Sequence, residues 1–165
     1  MPRLGSLLVC EKIIIDQQQK PTLISVFQSL SAIVPEGQGI PANTVSFIPW
    51  AIFAEWFFAD DETKGTVEQV IEVLQPDGSA SSIRGRVQFQ QFAPAGQGTR
   101  AYVNLFGMPI TQPGYIAVNI WIEVDSKKTT EVFSYQVKIE HSTKPSEPND
   151  GGMNIPVFTQ AKLGG

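Results

Sequence analysis

The sequence predicts an all-β fold: an antiparallel two-sheet β-sandwich, immunoglobulin-like or related, with about eight or nine strands and a flexible C-terminal tail. Three observations carry that reading. The chain holds 14 Val and 16 Ile against 8 Leu and 11 Ala, with 14 Gly and 12 Pro, a selection that favours strands and turns over helices. Short runs of alternating apolar and polar residues recur at roughly 8–12-residue spacing with no convincing helical period between them. Finally, 165 residues suit one core, and 42% apolar with 17% charged residues suits a chain that folds.

The elements follow in order. Residues 7–15 alternate and stop at the polar turn Asp16, Gln17, Gln18, Gln19, Lys20, Pro21; residues 22–30 then return as the second arm of a hairpin. Pro35 and Pro41 deny the next stretch a regular ladder. Residues 50–59 are apolar on both faces, which predicts a central strand, and residues 67–75 are expected to pair back onto it as a second hairpin. Pro76, Asp77, Gly78 is a turn in which proline presets φ and glycine accepts a positive one. Strands are expected at 83–92 and 100–106. The clearest pair is 116–124 with 131–140, whose Ile116, Val118, Ile120, Ile122, Phe133, Tyr135, Val137 and Ile139 should face one core. From His141 the composition turns to Ser, Thr, Lys, Pro, Asn, Asp and Gly, so the domain reading is one sandwich over 1–140 and a flexible tail over 141–165.

Charge and cysteine content bear on partners and compartment. Sixteen acidic against 12 basic residues give a net charge of -4, the wrong sign for neutralising nucleic-acid phosphates or adhering to an anionic membrane. The single cysteine forms no internal disulfide, which fits a reducing cytoplasm. Leu7, Leu8, Val9, Cys10 fails as a lipoprotein box, because its apolar run is short and Gly5 and Ser6 interrupt it. No apolar run approaches the ~18–20 residues that span a bilayer, so a soluble cytoplasmic protein is expected.

Leu7, Val9, Cys10, Glu11, Lys12, Ile14, Ile15 and Asp16, then Val26, Phe27, Gln28, Val34, Pro35, Ile40, Pro41, Trp50 and Phe57, form a pattern. Val103, Asn104, Phe106, Gly107, Pro109, Gly114, Tyr115 and Trp121 continue it. Over roughly residues 7–140 the chain resembles an uncharacterised bacterial family known only as a domain of unknown function. That resemblance implies a bacterial origin and a small β-rich fold, and supplies no catalytic residue.

No catalytic, cofactor or metal site is expected. His141 is the single histidine and falls where strand meets tail, a poor place to hold a general base. Cys10 reads as a small core residue. One Cys and one His do not make a zinc set, and Gly96 and Gly98 lack the lysine and helix of a phosphate loop. Asp60, Asp61, Glu62, Asp16, Asp77 and Asp125 are the carboxylates a calcium site or a glycosidase pair would draw on, with solvated turns the plainer reading.

Aromatic residues are the remaining signal. Trp121 shares a strand face with Tyr115, Asn119 and Glu123, a composition suited to a protein interface. The expected function is therefore a non-enzymatic binding or assembly module acting through that face or a strand edge on a protein partner or another copy. The alternative is a carbohydrate-binding module using Trp121 and Trp50, and more distantly a carboxylate-based hydrolase. In the tail, Met153, Asn154, Ile155, Pro156, Val157 and Phe158 interrupt polar sequence with an apolar cluster. Ile155, Val157 and Phe158 are expected to dock, with Pro156 confining the segment to an edge or groove.

Overall fold

The computed structural model describes residues 1–42, 44–143 and 153–156. Among these described residues eleven strands follow one another: β1 (Arg3–Ile15), β2 (Pro21–Val26), β3 (Ser29–Ile33), β4 (Pro49–Phe57), β5 (Val67–Leu74), β6 (Ala80–Gln88), β7 (Thr99–Phe106), β8 (Gly114–Val124), β9 (Lys127–Lys128), β10 (Phe133–Ser142) and β11 (Met153–Pro156), with one 3-10 turn at Asp60–Thr63. Sheet I has the order β2-β1-β4-β7; sheet II has the order β11-β3-β10-β8-β5-β6, with β9 folded back on β8.

The alternation of each strand builds a common core. Val9, Trp50, Ile52, Ala54 and Trp56 of sheet I meet Leu30, Val67, Ile71 and Val73 of sheet II. Ile116, Val118, Ile120, Ile122, Val137 and Ile139 are buried in the same cluster, with Phe133 and Tyr135 packed against it. The molecule is thus an all-β two-sheet sandwich. Outside this core, Cys10, Ile13, Ala51 and Phe53 form a second, smaller cluster against which Ile15 and Leu23 pack.

Four local expectations change. Residues 22–30 are not one strand: the chain leaves sheet I at Val26 and enters sheet II at Ser29, with buried Phe27 plugging the crossing and donating its amide to Val9 O at 3.1 Å. Residues 50–59 and 67–75 are not a hairpin, because β4 already has β1 and β7 on its two edges; β5 joins β6 and β8 in the other sheet. Sheet II is mixed, since β3 runs parallel to both β10 and β11; the long connection from residue 34 to residue 132 makes the β3–β10 pairing possible.

The fourth change concerns where the tail begins: His141 and Ser142 continue β10. Further on, Met153–Pro156 pairs with β3, Ile155 opposite Ala32, in keeping with the docking expected of that segment. At the end of β10 the composition turned polar while the ladder carried on, because main-chain bonding is indifferent to side-chain polarity. Val157 and Phe158 lie outside the described residues.

Candidate binding groove

β10 is covered unequally on its two edges. Residues 133–139 pair antiparallel with β8 on one side, but on the other β3 begins only opposite Lys138, which leaves 133–137 uncovered by any described residue's main chain. Two bonds show which main-chain groups face that open side. Lys138 donates its N–H to Gln28 O at 2.8 Å, and Ser142 O accepts from the Val34 N–H at 2.8 Å, so the even-numbered residues of β10 aim at the β3 side. Successive residues of a strand alternate in this respect. Ser134 and Gln136 therefore present both N–H and C=O to the open edge, and among the described residues no main-chain group pairs with them there.

A groove of about 680 Å³ runs along this edge. One wall comes from the crossing between the sheets, with Val26, Gln28 and Ser29; the other holds Tyr115, Ser134, Gln136 and Lys138. Tyr115, 56% exposed, stands directly opposite Lys138 on the outer face of sheet II, and Asn119 stands opposite Ser134 on the same face, with Ala117 and Gln136 between. The Lys138 ammonium lies 2.5 Å from Glu140 Oε1. That ion pair holds the Glu140 carboxyl below its ordinary range and the Lys138 ammonium above its own. At the floor, Tyr135 donates its phenol O–H to Phe27 O at 3.1 Å; burial raises its pKa and keeps the donor protonated.

Trp121 occupies the outer face as its alternation requires, yet is only 8% exposed. Its indole N–H donates to Glu123 Oε1 at 2.9 Å, and the Arg86 guanidinium donates to Glu123 Oε2 at 2.6 Å and to Glu68 Oε2 at 2.9 Å. Lys128 Nζ sits 5.6 Å from the ring centroid. Trp121 is thus held within a network of its own sheet, and the indole and Arg86 bonds draw the Glu123 pKa down.

The paired-tryptophan sugar platform is corrected by the same geometry. Trp50 is 1% exposed and faces the core from sheet I, while Trp121 is on the outer face of sheet II; two side chains on different sheets, one of them interior, form no common surface. A different cleft, about 390 Å³, lies beside the β1–β2 turn and is lined by Gln19, Phe53, Gln91, Phe92, Arg100 and half-exposed Tyr102 among others.

Most of the other singled-out residues have structural partners. His141 is not at a frayed end: it sits within β10, half-buried, with Nε2 2.8 Å from Ile110 O. Cys10 is buried, which pushes its thiol pKa up. Asp16 Oδ1 accepts from the amides of Gln18 and Lys20, Asp77 Oδ1 from Ser79, and Asp125 Oδ1 from Thr66, while Glu62 Oε2 accepts from the Ala59 amide. Asp60 and Asp61 lie in the 3-10 turn. Among the described residues no three His, Cys, Asp or Glu side chains converge in a metal-binding group, and no helix is long and apolar enough to cross a membrane.

Sequence reading reached Tyr115 and Asn119 but not Ser134, Gln136, Lys138 or Val26. These gain their meaning from an edge that β3 covers only halfway, and nothing local in the sequence signals a parallel partner a hundred residues earlier. No family model matches this chain, and no curated protein matches it.

Proposed function

We propose that this protein is a non-enzymatic binding module that engages a protein partner through the groove at Tyr115. The observation that carries the reading is the open half-edge of β10, where the main chain of Ser134 and Gln136 faces a groove floored and walled by tyrosines. Exposed tyrosine suits such a role, since it supplies a large rigid contact at low entropic cost. The turn carboxylates support the non-catalytic side of the reading: each of Asp16, Asp77, Asp125 and Glu62 already satisfies a backbone amide.

The test is a selection of displayed protein fragments against the whole chain, repeated with Tyr115→Ser. Binding is expected to weaken about tenfold or more, in line with the loss of a central aromatic anchor, at an unchanged melting temperature. Fragments retained equally by both proteins would show that the groove is not the binding surface.

Glycan binding is a second reading, and the cleft beside Tyr102 favours it: an exposed ring flanked by Gln19, Gln91 and Arg100 offers stacking together with planar donors. Retention on a glycan array that is lost in Tyr102→Ala would support it; no retention by the native chain would remove it.

A further inference from the structure

The unused hydrogen-bonding groups of β10 have a spacing and a direction, and these specify more than a groove. Ser134 and Gln136 each present an N–H and a C=O at the two-residue repeat of a strand, immediately beyond the point where β3 stops. β3 already lies along the other half of this edge as a parallel strand, so the main-chain pattern needed to receive a strand is in place and in register. Both residues are exposed, and among the described residues nothing fills the groove beside them.

We propose, building on the reading of the groove as a protein-binding site, that its occupant is an extended peptide segment of about five residues that adds as a strand to the open edge of β10. The uncovered length 133–137 sets that size, roughly 17 Å at ~3.3 Å per residue. Alternate residues of the peptide bond to Ser134 and Gln136 through their main chain, and the outward-facing side chains lie against Tyr115 and Lys138. Lys138, the one charged residue among the described residues that line the groove, is already ion-paired with Glu140. Recognition therefore runs on main-chain bonds and contact with Tyr115 and Val26, which selects uncharged extended sequences.

The experiment uses a random heptapeptide library displayed against the full chain, followed by N-methylation of each position of a selected peptide in turn. An N-methyl group removes one amide donor and leaves the side chain. Strand addition predicts a loss of about tenfold or more at alternate positions and less than about twofold between them. Gln136→Pro provides the matching change on the protein: it removes an N–H that bonds nothing among the described residues, a position where an edge strand tolerates proline, and should abolish peptide binding. The N-methyl series stands even if that variant folds poorly.

Peptides that bind and are lost in Tyr115→Ser, but tolerate N-methylation everywhere, would overturn strand addition and leave the groove as a binding site. A dimer in sedimentation that Gln136→Pro dissolves, with no peptide selected, would make the occupant a second copy and overturn the peptide. No peptide, and a solution mass that neither variant changes, would overturn both this inference and the reading on which it rests.

Discussion

Gln69 and Glu123 show what a single polar side chain does inside this sandwich. Gln69 is fully buried on the core face of β5 and accepts the Trp56 indole N–H at 2.7 Å, which ties sheet I to sheet II across the apolar interior. Gln69→Leu should cost about 1–3 kcal/mol, because the Trp56 donor is left without an acceptor in a dry core. Adding Trp56→Phe should recover part of that loss, and chemical denaturation of the single and double variants measures the coupling. Glu123 acts on the outer face. Its pKa is lowered in the fold by Trp121 and Arg86, so its contribution is complete above the ordinary glutamate range and lost as pH falls through the lowered value. Melting temperature against pH should therefore drop on the acid side, and Glu123→Gln should make that limb shallower; an identical limb in the variant would show that the network carries no linkage.

Strands in this protein are specified by alternation, and their ends by a few backbone positions. Gly65 opens β5 with φ at +87°, and a Cβ there would meet the Asp125 carboxylate at 2.7 Å, the same carboxylate that accepts the Thr66 amide at 2.9 Å. Gly65→Ala should destabilise by about 1–3 kcal/mol, combining the positive-φ cost with displacement of Asp125. Asp125→Ala should cost less when made in that variant than in the native chain, since the displaced carboxylate is no longer bonding. Ile120, fully buried in β8, has its register set by Phe133 on β10 and Ile71 on β5. Ile120→Ala should cost about 2–5 kcal/mol by leaving a cavity. A melting temperature unchanged by that substitution would contradict the placement of β8.

For the whole molecule the decisive element is β3, a five-residue strand joined in parallel to β10 on one side and β11 on the other. Removing the chain after residue 143 takes β11 away and turns β3 from an interior strand into an edge. Amide hydrogens of Ser29–Ile33 should then exchange faster, and the melting temperature should fall, while amides of β8 and β5 keep their protection. Equal exchange of β3 in both forms would mean that β11 contributes nothing to its stability. A new edge of this kind is also open to pairing between chains, so concentration-dependent association of the truncated form is expected by light scattering.

Alternation alone determined most of the strands of this protein and the face each buries, because a period of two along the chain is a local property: residues 116–122 and 133–139 present their aliphatic side to the core as their spacing requires. Turn chemistry was equally local, as Asp77 and Gly78 show. Partnership was not. Which strands share a sheet depends on whose edges are already occupied, so β4 and β5 parted although they are neighbours in sequence, and β3 crossed to lie beside β10. The polar composition after residue 140 concealed the end of β10, since ladder bonds use main-chain groups that every residue carries; the apolar cluster that starts at Met153 marked a docking segment, but not that β3 would be its partner. The groove follows from these choices. Tyr115 and Asn119 were legible as half-polar positions on a strand face, but Ser134 and Gln136 became candidates only because, among the described residues, tertiary structure covers half of one edge and not the other.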